Sequence, residues 1–546
     1  MLTDELKKII KGEVTDDEAM LKKHSRDASL FEISPSVVVS PKDSADIQAL
    51  VNFVADQKDI DKGLSLTARS GGTDMTGGPL TTSISMEMTR HFNQIIDVTP
   101  ESATVQPGVY YRDLDRETKR QDRMMPAYPA SREICTVGGM VGNNSGGEKT
   151  LSYGKVENYL LELKVVLSDG KEYVIKPLSR KDLEIKMKLR TFEGKLYKQI
   201  YELIKNNQKI ITAAKPNVSK NSAGYYLWNV LDPKTGAFDL ARLIVGSQGT
   251  LGIVTEIKFR LVPVKKISKM LVIFMKDLSR LGDIVVELLK HKPEALESYD
   301  DKTLKLALKF FPEMIKILKP KHILSMMWHL LPEVGMVLTG GMPKLVIMAE
   351  FTGDADTELD ARMRAAEEAM PQFKVKTRIT KTEEEEREFW VIRRESFNLL
   401  RNKVQGKQTA PFIDDFIVRP EHLPEFLPKL NAILDKYDLI YTIAGHPGDG
   451  NFHIIPLMNL ADDTQRAIIP KLADEVYDLV LAYKGSITAE HNDGLMRTPY
   501  LEKMYGPEVY ALFGEIKKIF DPQNIFNPGK KVGFVPGYAL THIKHG

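Results

Sequence analysis

The stretch RSGGTDMTGG, residues 69–78, follows the strand-like run LSLTA and decides how the first half of this chain is read. Its spacing is neither the GxGxxG of a dinucleotide-binding turn nor the GK[ST] ending of a P-loop. It offers a row of small residues after a strand, whose backbone N–H groups can converge on an anion. Alone, the pattern fits a glycine-rich hairpin equally well. Two further small-residue loops, TVGGMVGNNSGG at 136–147 and GSQGTLGIVTE at 246–256, lie beside strand-like runs in the same region. Three such loops point to a long, flat, phosphate-bearing cofactor approached closely by backbone.

Around the first loop, SVVVSP (36–41) reads as a short buried strand. SADIQALVNFVADQ reads as a helix capped by Ser44, with Ile47, Leu50, Val51 and Val54 on one face. SISMEM, IIDVTP and SATVQPG alternate like strands, and YRDLDRETKRQ has helical spacing. From about residue 266 the texture changes to longer strands and helices, ending in a last helix and FDPQNIFNPGKK. The expected organisation is α+β: a helical arm over 1–36, a cofactor domain over 37–265, an α/β cap domain over 266–490, and a C-terminal segment over 491–546 returning to the cofactor domain.

At 546 residues the chain is too long for one core. Its 42% hydrophobic and 27% charged residues are those of a globular protein, and a net charge of +2 argues against a dedicated nucleic-acid binder. Cys135 is the only cysteine, which excludes an intramolecular disulfide and an all-cysteine iron–sulfur cluster within this sequence. The charged N-terminus lacks a signal core, so a reducing cytoplasmic setting is expected. The insert 304–341 is apolar and basic. His329, Pro332 and Glu333 are costly in lipid, so a helical subdomain and a patch lying on the inner face of a membrane both remain open.

The second informative stretch is GHPGDGNFH, 445–453. With a strand on each side of the Gly-Asp-Gly turn, His446 and His453 can face one site. ITAEHNDGLMRTPYL adds Glu490 and His491 at the end of a strand-like run. Imidazoles plus a carboxylate suit a divalent transition ion with open positions; satisfied polar residues in a turn are the alternative.

Taken together, RSGGTDMTGG, QPGV (106–109), CTVGGMVGNNSGG with Tyr153-Gly154, and GSQGTLGIVTE resemble the FAD-binding domain of the vanillyl-alcohol-oxidase (PCMH-type) flavoproteins. HPGDGNFH, AEHNDG and DPQNIFNPGK are similar to the C-terminal half of the FAD-linked D-2-hydroxy-acid dehydrogenases. That group includes D-lactate dehydrogenases, glycolate oxidase subunits and D-2-hydroxyglutarate dehydrogenases. The resemblance implies that Ser70, Gly71, Gly72, Thr73 and Asp74 hold the pyrophosphate, with Thr76 and Gly77 in the same loop. Ribityl, isoalloxazine and adenine would fall to Pro129, Thr136, Gly138, Gly139, Gly142, Asn143, Asn144, Gly146, Gly147, Tyr153, Gly154, Gln248, Gly249, Gly252, Ile253, Val254 and Asn527. Thr73 stands where relatives with covalent flavin place a histidine, and Cys135 is the sole thiol, so noncovalent FAD is expected. His446, His453 and Glu490 would bind a divalent metal, zinc before manganese or iron. His491 would accept the substrate proton, and Arg393 in WVIRRE would grip the substrate carboxylate, a surface charge on a helix being its alternative. Asn492, Gln248 and Pro447 depart from the family's glycine, glutamate and alanine. Lys407 is displaced from a family lysine, which leaves recognition of a second carboxylate open.

The resemblance implies oxidation of a small D-2-hydroxy acid to the 2-oxo acid. Electrons would pass to a separate acceptor: a quinone, an electron-transfer flavoprotein, a cytochrome or an iron–sulfur partner. A homodimer is left open. Two rivals are a redox-neutral flavoenzyme resembling alkyl-dihydroxyacetone-phosphate synthase and a flavin-free metal hydrolase.

Overall fold

The computed structural model describes residues 2–309, 341–403 and 406–545. Most of the apolar, basic insert, from 310 to 340, lies outside the described residues. Among the described residues, no helix is long and apolar enough to cross a membrane.

The N-terminal region is built on two sheets. One runs in the order Glu13–Thr15, Val37–Ser40, Ile84–Glu87, Leu66–Arg69. The last three strands are parallel, and Val37–Ser40 and Ile84–Glu87 are buried along their whole length, as strands covered on both faces must be. The edge strand Glu13–Thr15 pairs antiparallel with Val37–Ser40. The arm is therefore helix, strand, helix, rather than helical throughout; its strand finds hydrogen-bond partners that a lone extended segment lacks. The helix Ser44–Gln57 buries Ile47, Leu50, Val51 and Val54 as expected, but its cap is Asp43. The Asp43 carboxylate accepts from Asp46 N, which makes Ser44 the first helical residue.

The second sheet is antiparallel: Ile95–Val98, Ser102–Val105, Ile253–Arg260, Leu160–Val166, Glu172–Ile175. TVGGMVGNNSGG is not a loop throughout, because Val137–Asn143 is a short helix. Gly138 lets that helix approach the preceding segment: a Cβ there would lie 2.7 Å from the Pro107 carbonyl oxygen. The helix ends at Asn144, whose φ of 51° is left-handed.

The third sheet holds seven antiparallel strands: Lys376–Ile379, Ile267–Met275, Leu345–Gly353, Ala295–Asp300, Ile443–His446, Asn451–Ile454, Phe416–Ile417. Its two faces differ in kind. Leu271, Ile273, Ile347, Ala349, Leu296, Phe452 and Ile454 point to one side and pack against four helices, Leu281–Lys290, Asp356–Glu368, Leu423–Leu434 and Ile468–Ala482. Alternation sends Met270, Val272, Phe274 and Met348 to the other side, under Phe389 and Trp390 of the helix Glu383–Lys403. By the pairing register, Glu297, opposite Met348, and Ala444, opposite Tyr299 and His453, share that second face with His446. The C-terminal helix Leu501–Phe520 then packs Leu512, Phe513, Ile516 and Phe520 into the core of the second sheet.

Candidate active site

Three small-residue loops meet at the end of the first sheet, and their side chains are mostly spent on one another. The Asp74 carboxylate accepts from Thr76 N and Oγ1, Gly78 N and Asn143 Nδ2. The Gln248 amide donates to Thr76 Oγ1 and Asn143 Oδ1 and accepts from Gly494 N. Asn527 donates to the carbonyls of Gly78 and Gln248, Asn144 accepts from Glu157 N, and Tyr153 donates to Glu294. Thr136 Oγ1 accepts from Gly71 N, while Ile253 and Val254 pair in the second sheet with Val166 and Val165. These residues clamp the cradle, and what stays free is backbone.

Gly71 and Gly139 are exposed, and Ser70, Gly72, Thr73, Gly142 and Gly249 are half-buried. A Cβ on Gly142 would find nothing closer than 4.0 Å, and one on Gly139 nothing closer than 3.5 Å. That open floor of backbone suits a flat, phosphate-bearing group approached closely. By contrast Gly147 and Gly154 are fixed by the fold: a Cβ would meet Tyr128 O at 2.3 Å and Asn158 Nδ2 at 2.2 Å. Gly146, Gly252, Gly77 and Pro129 border the same loops. Cys135 is buried, and burial pushes its thiol up to about 12.

Against this cradle lies an ionised cluster. The hairpin puts His446 and His453 on one sheet face, ring centroids 5.2 Å apart and nearly perpendicular. Gly450 turns the chain with φ 77°, where a Cβ would strike the Val418 carbonyl. His446 Nδ1 donates to Glu297 Oε1 at 2.6 Å, and His453 Nδ1 donates to Asp414 Oδ1 at 3.0 Å. A carboxylate only accepts, so both Nδ1 atoms carry protons and both Nε2 atoms face inward. They lie 3.7 and 4.0 Å from the two oxygens of Glu490. Two imidazole nitrogens converging on a carboxylate, each ring oriented by a further carboxylate, fit a divalent ion.

Glu490 and His491 do not end a strand. Their run is a loop pinned by Asp415, whose Oδ2 accepts from Glu490 N, His491 N and Thr488 Oγ1 and whose Oδ1 accepts from Asn451. With the next residue, Asn492, at φ 70°, both side chains serve one site. Asp415, His453, Glu490 and His491 also place one ligand atom each within 4.8 Å of one another. Since both Asp415 oxygens are committed to loop donors, the set of His446, His453 and Glu490 has the freer donors. His491 stacks on His453 at 5.1 Å, with its Nδ1 2.7 Å from Asp414 Oδ2. The side chains of His453 and His491 are 16% and 23% exposed, against 6% for His446 and Glu490, so the open side of the cluster is theirs.

Arg393 is no surface charge: its side chain is 7% exposed and its guanidinium pairs with Glu297 Oε2. Arg394 turns away to a bidentate pair with Glu148. Charge in the cluster is unbalanced toward acid. Burial opposes protonation of His446 and His491, yet Glu297 and Glu490 raise the first, and Asp415 and Asp414 the second, to about 9. Burial likewise opposes ionisation of Glu490, but Lys220 and His446 hold it well below the usual carboxylate range. Sequence reading missed Glu297, Asp414, Asp415 and Lys220. The paired acids inside the apolar run IDDFIV were a usable signal; Glu297 and Lys220 gave none.

Cradle and cluster adjoin. A Cβ on Gly146 would lie 3.3 Å from Glu490 Oε1, and Asn492 Nδ2 donates to the carbonyls of Asn143 and Gly246. Residues 35–176 match the FAD binding domain family, and residues 265–531 match the C-terminal domain of FAD linked oxidases. The chain belongs to the FAD-linked oxidases. It is 26% identical over 515 residues to D-2-hydroxyglutarate dehydrogenase of Escherichia coli (strain K12), covering 93% of this chain and 49% of that protein. It is 27% identical over 506 residues to glycolate oxidase subunit GlcD of Bacillus subtilis (strain 168), covering 92% and 89%. The chain thus spans about half the length of the first relative. Among solved structures, p-cresol methylhydroxylase with substrate bound aligns with a TM-score of 0.65 at 16% identity, covering 95% of this chain and 93% of that one. That likeness is one of fold, a mixed helix-and-sheet protein with a PCMH-type FAD-binding domain.

Proposed function

We propose that this protein oxidises a small D-2-hydroxy acid to the 2-oxo acid, with noncovalent FAD and a divalent metal, zinc before manganese or iron. The observation that carries the reading is the contact between the backbone cradle and the ionised cluster across Gly146, Glu490 and Asn492. When bound, FAD supplies the hydride acceptor and a dication lowers the pKa of the substrate hydroxyl.

The chain's own residues do the rest. His446, His453 and Glu490 would hold the metal, and Glu297 and Asp414 fix the tautomers that make this workable. Arg393 would take the substrate carboxylate in a charge-assisted contact, exchanging it for Glu297. His491, on the open side and neutral once a bound dication offsets the surrounding acids, would receive the hydroxyl proton, and Asp414 at its Nδ1 stabilises the imidazolium that forms. The small-residue loops would cover the pyrophosphate and exclude water from the reacting face. A separate acceptor takes the electrons: a quinone, an electron-transfer flavoprotein, a cytochrome or an iron–sulfur partner.

The test is anaerobic flavin reduction with a panel of D- and L-2-hydroxy acids, with and without chelator. Bleaching by a D-acid that chelator prevents is expected. A flavin that no hydroxy acid bleaches would favour redox-neutral chemistry. Bleaching unaffected by complete metal removal would sink the metal assignment alone. Flavin released into the supernatant by acid precipitation marks it as noncovalent.

A further inference from the structure

Lys220 is a fully buried lysine inside the cluster. Its ammonium lies 2.5 Å from Glu490 Oε1, 3.2 Å from Asp449 Oδ2 and 3.3 Å from Asn451 Oδ1. It donates hydrogen bonds to Glu490 and Asn451 and is ion-paired with Asp449. The residues that follow Lys220 are tied in place: Ser222 N donates to Thr488 O, Ser222 Oγ to Ala489 O, and Lys155 Nζ to Asn221 O. The residue is thus held beside the loop that carries Glu490, fully buried, with its charge directed at Glu490 and Asp449.

The consequence falls on Glu490. Oε1 carries the ammonium, while Oε2 faces His453 Nε2. A carboxylate whose one oxygen is capped by a fixed cation offers a dication only the other. We propose that Lys220 is a positioning residue that keeps Glu490 a one-oxygen metal ligand, and so keeps a coordination position open for the substrate. The inference rests on the metal reading above. It carries an unusual sign: a cation fixed beside a metal ligand weakens metal binding, so removing it tightens the site. A lysine that merely braced the loop would do the reverse, because its loss would let Glu490 wander and loosen the metal.

The measurement is Zn2+ affinity of metal-stripped, FAD-loaded protein by competition with a chromophoric chelator, followed by steady-state kinetics. Lys220→Met keeps the length and removes the charge; Lys220→Gln is the milder change. Both should bind Zn2+ at least about tenfold tighter than wild type, since a nearby like charge is gone. Their KM for the D-2-hydroxy acid should rise at least about tenfold with a smaller change in kcat, the signature of a blocked binding position. Lys220→Arg should return both values toward wild type. Unchanged or weaker Zn2+ binding in Lys220→Met or Lys220→Gln overturns the proposal. If neither variant folds, Asp449→Asn decides: with one competing carboxylate neutralised, the ammonium settles on Glu490 and Zn2+ binding weakens, whereas unchanged or tighter binding overturns the proposal. Wild-type protein that takes up no Zn2+ removes the metal reading itself, which is distinguishable from Zn2+ uptake that Lys220 does not influence.

Discussion

In the half of the site formed by residues 69–78, 136–147 and 246–252, polar side chains bond to one another and the free surface is backbone. In the half formed by 414–415, 446–453 and 490–493 the backbone is pinned, and charged side chains face the open space. A backbone surface recognises shape and phosphate and is insensitive to pH. A surface of ionised side chains recognises charge, and its occupancy depends on which protons are present. The proposed oxidation needs both: the first to hold a large cofactor immobile, the second to change charge during the reaction.

The sharpest break of that comparison is Gly142→Val. A Cβ there finds nothing closer than Gln248 Cα at 4.0 Å, so the apoprotein should fold, yet come out colourless. Gly72→Val is the contrasting control. With φ 67° and Arg69 Nη2 at 2.5 Å from a Cβ, it strains the loop itself and should cost about 1–3 kcal/mol of stability as well as flavin. Normal flavin absorbance in Gly142→Val would put the cofactor elsewhere.

In the charged half the order reverses, and cofactor should survive while chemistry fails. Glu490→Gln should keep the flavin spectrum, lose metal by elemental analysis, and slow substrate-driven flavin reduction by roughly a thousandfold, the scale of several kcal/mol of alkoxide stabilisation. Excess metal should restore part of the rate. His491→Asn should keep both metal and FAD and slow reduction by about a hundredfold or more, as for loss of a general base. Metal loss that added metal reverses in His491→Asn would exchange the two roles.

Two smaller effects sharpen the electrostatics. Glu297→Gln leaves a hydrogen-bond acceptor for His446 but removes its charge, and should weaken metal binding by about 10–100-fold without moving FAD affinity. An unchanged metal affinity would reduce Glu297 to an anchor for Arg393. Protons give the last effect. With His446 held at about 9 in the metal-free protein, its Nε2 is protonated at neutral pH, and a metal must displace that proton. Metal uptake should therefore release a proton and weaken by about tenfold per unit as pH falls below about 9. Calorimetry in buffers of different ionisation enthalpy measures the proton count, and a count of zero at pH 7 would contradict the linkage.

The small-residue runs and the histidine hairpin were legible in the sequence, because both rest on local rules, although Val137–Asn143 within the second run folds as a helix. Small residues after strands make backbone accessible whatever surrounds them, and a Gly-Asp-Gly turn between apolar runs brings His446 and His453 to one face through strand alternation alone. Local rules also explain the near misses: Asp43 rather than Ser44 caps its helix, since either side chain suits the position. Which polar residues are free was not legible, because it depends on partners far along the chain. Asp74, Asn144, Gln248 and Asn527 look like cofactor ligands in a linear reading, but each has a side-chain oxygen or nitrogen bonded to a residue well removed along the chain. The charge of the site was not legible either. Lys220, Glu297, Asp414 and Glu490 come from segments scattered across the chain, and electrostatic energy depends on distance through space, on which sequence separation places no bound.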